Sequence, residues 1–237
     1  MEGHPVNNPD PALFRQGKSL VVAVDGPSGS GKSSVSREAA RRFHAAYLDT
    51  GAMYRAVTWH CLDRGLDLTD AEAVEAAAKS VTIELSTDPD VESVRVEGVD
   101  VTAEIREPLV STAVSAVATT LGARAELVRR QRQQIMDSNR RIVAEGRDIT
   151  TVVAPDAEVR ILLTASEEAR LRRRGEQLQG TQNAEQLRRQ VTHRDRLDST
   201  VVNFQQAADG VVTIDSSELD YEQTVNAVLR TVFEVAH

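Results

Sequence analysis

A glycine-rich segment near the amino terminus constrains the fold of this chain more than any other sequence feature. It reads Gly26-Pro-Ser-Gly-Ser-Gly-Lys-Ser33 and matches the phosphate-loop pattern G-x-x-x-x-G-K-[ST]. An apolar run (residues 19–25) precedes it and a helical pattern (residues 33–43) follows it, which is the setting that this pattern requires. The glycines let successive N–H groups curl around one anion, and the helix dipole adds to that concavity. The segment therefore predicts a bound nucleoside triphosphate with Mg²⁺ rather than a chance glycine-rich turn.

Two side chains of this segment have expected roles. Lys32 is expected to reach the β and γ phosphates, and Ser33 to offer its hydroxyl to Mg²⁺. The motif alone does not identify the triphosphate or the use made of its energy. The expected triphosphate-binding residues are Gly26, Pro27, Ser28, Gly29, Ser30, Gly31, Lys32, Ser33 and Ser34.

Short apolar runs alternate with helical patterns along most of the chain, which predicts an α/β fold with a parallel sheet. The alternation stops in the middle, where residues 81–85 and 91–101 predict a small antiparallel sheet. We therefore expect one three-layer phosphate-loop domain over residues 18–237, with an insert at about residues 66–125 and a loose tail at 1–17.

The charge balance argues against nucleic acid as the main ligand. The net charge is −8 and aromatic residues make up 3% of the chain, whereas proteins that mainly bind nucleic acid are usually basic. No stretch approaches ~18 consecutive apolar residues, and the start of the chain lacks a secretory pattern, so we expect no membrane association. Because Cys61 is the single cysteine, an intrachain disulfide is excluded and a cytoplasmic location is favoured.

Two polar segments follow strand candidates, and the carboxyl ends of parallel strands line the ligand crevice of such folds. Segment 49–55 (DTGAMYR) would place Arg55 near the phosphate loop. Its Asp-Thr-Gly triplet also occurs in aspartic proteases, but those enzymes need a second aspartate in an all-β fold. Segment 144–148 (AEGRD) would place Glu145 either against Mg²⁺ or merely at the surface of a strand end.

Arginines are concentrated between residues 166 and 205. Arg170, Arg173 and Arg174 share one helix face, whereas consecutive arginines cannot, so part of the run is a solvated face. The helical patterns here predict a mobile lid that excludes water and brings cations, Arg174 and Arg194 among them, over the transferring phosphoryl group. A nucleic-acid groove is the alternative interpretation.

Four motifs, in this order and spacing, resemble those of the bacterial cytidylate kinases in the P-loop nucleoside monophosphate kinase group. They are residues 25–34 (DGPSGSGKSS), 48–55 (LDTGAMYR), 144–148 (AEGRD) and 194–199 (RDRLDS). The resemblance spans nearly the whole chain from about Ser19. It implies phosphoryl transfer from ATP, with Mg²⁺, to CMP or dCMP.

The resemblance also implies roles at the matching positions. Val201 stands where the family usually has an arginine, so that phosphate contact is missing here or comes from another arginine. From the resemblance, together with the phosphate-loop motif and the arginine-rich lid, the residues expected to act in catalysis are Lys32, Arg147, Arg174 and Arg194. The residues implied to contact the acceptor nucleotide are Thr50, Tyr54, Arg55, Ser115, Arg124, Arg147, Asp148, Arg194 and Asp198.

The chemistry of the base and of the phosphate agrees with a cytosine nucleotide as acceptor. Asp148 can accept from the cytosine amino group, and Arg124 can donate to N3 or O2, whereas uracil reverses the polarity of this edge. A nucleoside monophosphate is already largely a dianion at neutral pH, so no strong base is expected. Arginines, Lys32 and Mg²⁺ would offset the repulsion between the two anions.

Other functions stay open at this point. The main alternative is another small P-loop kinase, with UMP or a small metabolite as acceptor. A GTPase would share the phosphate loop but should carry an Asn-Lys-x-Asp motif, which this sequence lacks. A nucleic-acid-dependent ATPase is the remaining alternative. We expect a monomer, because the site residues are complete in one chain.

Overall fold

A five-stranded parallel sheet lies at the centre of the computed structural model, which describes residues 19–177, 196, 204 and 206–236. The described strands are β1 (Leu20–Asp25), β2 (Ala46–Asp49), β3 (Ile83–Leu85), β4 (Val94–Val96), β5 (Val99–Asp100), β6 (Arg141–Gly146), β7 (Val159–Thr164) and β8 (Val212–Asp215). The large sheet has the order β2-β6-β1-β7-β8, with every neighbouring pair parallel. The predicted α/β class is therefore confirmed, with β1 as the central strand.

Helices cover both faces of this sheet. The described α-helices are α1 (Lys32–Arg42), α2 (Thr50–Asp63), α3 (Ala71–Ser80), α4 (Pro108–Thr119), α5 (Leu121–Asp137), α6 (Glu167–Gln177) and α7 (Tyr221–Ala236). Successive residues of β1 point to opposite faces: Val22 and Val24 pack with α1 and α7, while Val21 and Ala23 pack with α2 and α5. Because both faces are covered, the strand is buried throughout and reads as a continuous apolar run.

The expected small antiparallel sheet is present, in the order β3-β4-β5. Val94 and Val96 are buried while Arg95 between them is exposed, which is the alternation of a sheet with one solvated face. Glu97 and Gly98 connect β4 to β5 with φ values of 50° and 79°, and two positive φ values suit the right-handed twist of a tight hairpin.

The helical tract that begins at Pro108 is interrupted at Thr120, one residue before α5 begins. Thr120 has an extended backbone there, and its hydroxyl donates to the carbonyl of Ala116 at 2.9 Å. Gly122 lies against α3, where a Cβ would meet the carboxylate end of the flexible Glu75 side chain.

The proposed limits of the insert and the lid stay predictions, and so does the loose tail, which lies outside the described residues. The expected contacts Arg194 and Asp198 and the departure at Val201 also lie outside them. Among the residues that the structure describes, no helix is both long enough and apolar enough to cross a membrane.

Candidate active site

A cleft of about 560 Å³ opens at the carboxyl ends of β1, β2 and β6. Residues 28–33 of the phosphate loop (Gly26–Ser33) and the start of α2 line the cleft from the sheet side. Helix α6 lines it from a second side, and Arg106, α4 and α5 line it from the middle of the chain. The expected site residues that line the cleft are Ser28, Gly29, Ser30, Gly31, Lys32, Ser33, Ser34, Thr50, Tyr54, Arg55, Arg124, Glu145, Arg147, Asp148 and Arg174.

The phosphate loop has the backbone that an anion cradle requires. Gly29 and Gly31 have φ values of 79° and 88°, in the left-handed region that favours glycine. Gly31 directly precedes α1 and has no side chain to cap it, so the first N–H groups of the helix remain directed at the cleft. Gly26 lies behind the loop, where a Cβ would overlap the carbonyl of Leu163, and this close packing fixes the loop on β7.

Lys32 and Ser33 converge on one buried carboxylate. The Ser33 hydroxyl donates to Glu145 Oε1 at 2.6 Å, and Lys32 Nζ lies 3.9 Å from Glu145 Oε2. Lys32 also donates to the carbonyl of Pro27 at 3.3 Å, and the Tyr47 hydroxyl donates to Glu145 Oε1 at 3.3 Å. Burial raises the pKa of Glu145, and the nearby Asp49 carboxylate adds to this while Lys32 opposes it. Glu145 is therefore an interior carboxylate against the loop rather than a surface residue.

Two arginines flank Asp49 at the end of β2. Arg55 donates to Asp49 Oδ2 at 2.9 Å, and the same carboxylate caps α2 by accepting from the amide of Ala52 at 2.9 Å. Arg106, from the middle of the chain, lies near both residues and also forms an ion pair with Glu92. Burial alone would raise the pKa of Asp49, but Arg55 and Arg106 lower it overall. Asp49 is therefore held as a carboxylate among guanidinium groups.

Arg174 adds a third guanidinium to this region. Burial lowers its pKa, and the neighbouring charges of Arg55 and Arg106 lower it further. Arg55, Arg106 and Arg174 thus lie close enough to repel one another on this wall of the cleft. A bound phosphate would offset that repulsion. Arg106 is a site residue that sequence reasoning missed, because no local motif distinguishes it from the other arginines.

Arg124 and Asp148 form an ion pair across the cleft, between α5 and the segment after β6. Burial raises the pKa of Asp148, and Arg124 opposes that rise. Val114 and Ala118 line the cleft from α4, whereas Ser115 is buried on the same helix and lies outside the lining residues. The pair thus presents one carboxylate and one guanidinium beside an apolar helix face.

Three further expected residues have distinct surroundings. Thr50 lies at the start of α2 and donates to the carbonyl of Glu145 at 2.8 Å, which ties this helix to β6. Tyr54 lies one turn further along α2. Arg147 stacks over Phe204, with its guanidinium carbon 4.5 Å from the ring centroid.

Two arginines of α6 hold the phosphate loop itself. Arg170 donates to the carbonyl of Ser28 at 3.0 Å, and Arg173 donates to the carbonyl of Ser30 at 3.2 Å. Arg173 also donates to the hydroxyl of Ser216 at 3.0 Å. The sequence placed Arg170, Arg173 and Arg174 on one helix face. In the structure, Arg170 and Arg173 bind carbonyl groups of the phosphate loop.

Comparisons of the sequence with known proteins identify the family of this chain. The family model described as cytidylate kinase matches residues 22–234. A cytidylate kinase of Nocardia farcinica is 49% identical over 219 residues, covering 90% of this chain and 93% of that protein. Those of Rhodococcus opacus and Cutibacterium acnes are 48% and 46% identical, covering 91% and 90% of this chain and 96% of each relative. The resemblance seen in the four motifs is confirmed, and this chain belongs to the cytidylate kinase family.

Proposed function

We propose that this protein transfers the γ-phosphoryl group of ATP to CMP or dCMP, giving ADP and CDP or dCDP. The strongest support is the composition of the cleft. One cavity holds a phosphate loop, a wall of three arginines and a paired carboxylate and guanidinium that suit cytosine. The family membership supports the same reaction.

The donor side of the cleft suits ATP with Mg²⁺. The N–H groups before α1 and the Lys32 ammonium would hold the phosphates. Ser33 and Glu145 fit the metal, because a hydroxyl and a carboxylate oxygen 2.6 Å apart are hard ligands of the kind that Mg²⁺ prefers. When bound, the ion would neutralise charge on the donor phosphates.

The acceptor phosphate would lie against Arg55, Arg106 and Arg174. These residues have the charge to overcome the repulsion between two polyanions, which is the main electrostatic obstacle to this transfer. The acceptor is already largely a dianion, so its oxygen can attack without a strong base. Arg147 is proposed to bridge toward the acceptor phosphate. Arg194 and Asp198 stay proposed contacts to its sugar and phosphate.

The cytosine would be read by Asp148 and Arg124. A carboxylate can accept from the exocyclic amino group, and a guanidinium can donate to N3 and O2. Uracil presents a carbonyl to the carboxylate and an N–H to the guanidinium, so both contacts become unfavourable. Ser115, on the helix that carries Val114 and Ala118, is kept as a third candidate contact.

Release of ADP with a panel of acceptors tests the function. We expect CMP and dCMP to be used in preference to UMP and AMP. Turnover with UMP or a small metabolite alone would support another P-loop kinase, and ATP hydrolysis stimulated by DNA or RNA without an acceptor would support a nucleic-acid-dependent ATPase. We propose a monomer, since one chain supplies the whole cleft, and a cytoplasmic location, where its nucleotide substrates are found.

Asp148→Asn tests the assignment of the base contact. An amide can both donate and accept, so the variant should discriminate less between the two bases. We expect kcat/KM for CMP to fall by a factor equivalent to roughly 1–3 kcal/mol, and the difference in kcat/KM between CMP and UMP to shrink. Asp156→Asn is a matched control, because Asp156 is an exposed aspartate whose ion pair with Arg140 lies at the surface. An equal loss with CMP and UMP would mean that Asp148 merely orients a neighbouring arginine.

A further inference from the structure

Asp25, the last residue of β1, has a role that the reaction chemistry does not explain. It is 3% exposed and lies outside the lining of the cleft. Its Oδ1 accepts from the amide of Ile149 at 2.8 Å, and its Oδ2 accepts from the amide and the hydroxyl of Thr150 at 2.9 and 2.6 Å. These donors begin the π-helical turn Ile149–Val153 that follows β6. Asp25 therefore caps a turn that belongs to a different part of the chain.

Asp148 stands at the position from which a helical turn is ordinarily capped. Aspartate is among the strongest capping residues, and its side chain normally accepts from the amides that follow it. Asp148 makes no such cap in the described part of the chain, and its carboxylate pairs with Arg124 instead. Asp25 binds the amide of Thr150, two residues after Asp148, which a cap at Asp148 would ordinarily bind, and it also binds the preceding amide of Ile149.

We infer that Asp25 is a positioning residue that caps this turn in place of Asp148 and so leaves Asp148 free to select the acceptor base. This inference rests on the proposed function. Asp25 acts through Asp148 rather than by touching a nucleotide, since it lies beneath the cleft.

The same residue joins the two nucleotide sites. Asp25 directly precedes Gly26 of the phosphate loop, and in the sheet it is paired with Gly146 of β6. Its side chain then holds the turn that follows Asp148. One residue thus connects the backbone of the donor loop to the segment that presents the base-reading carboxylate.

Asp25→Asn is the substitution that tests this role. Asparagine keeps one carbonyl oxygen but puts an NH₂ group where the second acceptor stood, so one of the two amides loses its partner. Asp148 can then compete as the local cap, and its carboxylate is drawn away from Arg124. We expect the preference for CMP over UMP to fall about tenfold, the scale of one buried hydrogen bond, with little change in KM for ATP.

Two measurements determine the preference for CMP over UMP. Calorimetric titration with CMP and with UMP, without ATP, gives the preference at equilibrium, and steady-state kinetics gives it in kcat/KM. Asp215→Asn is the matched control, because Asp215 also ends a strand of the sheet and caps a turn, through Ser217, but stands apart from the cleft. The control should keep the wild-type preference.

The double variant with Asp148→Asn separates positioning from a general structural effect. If Asp25 acts through Asp148, adding Asp25→Asn to Asp148→Asn should change the preference no further. An unchanged preference in Asp25→Asn, or full additivity in the double variant, would overturn the inference while leaving the proposed function intact. A wild-type protein that does not prefer CMP would instead refute the proposed function.

Should Asp25→Asn fail to fold, Thr150→Val provides the same test at lower risk. It removes only the hydroxyl that donates to Oδ2 at 2.6 Å and keeps both amide contacts. We expect a smaller loss of preference for CMP, on the order of threefold. Retention of the wild-type preference by Thr150→Val would then count against the inference.

Discussion

Asp25→Asn should also change how the stability of the protein depends on pH. Burial raises the pKa of Asp25 from 3.8 to about 6, even though the hydrogen bonds from Thr150 and Ile149 favour the carboxylate. The folded protein thus binds this proton more tightly than the unfolded chain does. The stabilisation that results is fully present below pH 3.8 and is lost as the pH rises through about 6.

The size of this effect follows from the two pKa values. At about 1.4 kcal/mol per pH unit, the raised pKa corresponds to about 3 kcal/mol, a large share of the roughly 5–15 kcal/mol that stabilises a typical domain. Asparagine cannot ionise, so the variant does not lose this stabilisation as the pH rises. Relative to wild type, the free energy of unfolding of Asp25→Asn should rise by about 3 kcal/mol between about pH 4 and pH 7. The variant also loses one hydrogen bond, which lowers its free energy of unfolding by about 1 kcal/mol at every pH.

Urea unfolding of both proteins at a series of pH values measures this difference, and other titrating groups cancel when the two curves are subtracted. Asp215→Asn is again the control. Hydrogen bonds from Ser217 lower the pKa of Asp215, so its contribution is present above the unfolded pKa and is lost as the pH falls. The difference in unfolding free energy between Asp215→Asn and wild type should therefore stay nearly constant between about pH 4 and pH 7 and change in the opposite direction at lower pH. A difference between Asp25→Asn and wild type that stays constant with pH would refute the reasoning.

Three further substitutions test the cleft. Lys32→Ala should lower phosphoryl transfer about 10³-fold without unfolding the protein, which circular dichroism and turnover check, with the exposed Lys79→Ala as control. Arg106→Ala should raise KM for CMP about tenfold and leave KM for ATP near wild type, whereas Arg95→Ala, on the exposed face of β4, should change neither. Glu145→Gln should raise the Mg²⁺ concentration needed for half-maximal turnover, and an unchanged Mg²⁺ titration would exclude Glu145 from the metal site.

The phosphate loop and the order of strands and helices could be predicted from the sequence because both depend on short-range spacing. A fully buried strand reads as an apolar run, and the loop pattern lies within eight residues, Gly26–Ser33. The small antiparallel sheet was likewise recognisable, because residues 81–85 and 91–101 alternate in polarity.

Arg106 could not be assigned because its neighbours in space are distant along the chain. It lies in the short helix Glu104–Arg106, which packs on α2 and so brings Arg106 beside Asp49, Arg55 and Glu92. The local sequence shows an arginine two residues before a proline and carries no sign of an anion site. The same limit applies to Arg170 and Arg173, because their partners, carbonyl groups of the phosphate loop, are also distant along the chain.

Three neighbouring strands of the large sheet end in or beside a carboxylate, and the sequence alone gives them nearly the same description. Glu145 is the register partner of Asp49 on β2, and Asp25 ends the strand on its other side. Their partners differ: Glu145 faces an ammonium and a hydroxyl, Asp49 faces guanidinium groups, and Asp25 faces backbone amides. The strand end explains why all three lie at this edge, but the donor that each one meets determines whether it suits a metal, an arginine wall or a cap.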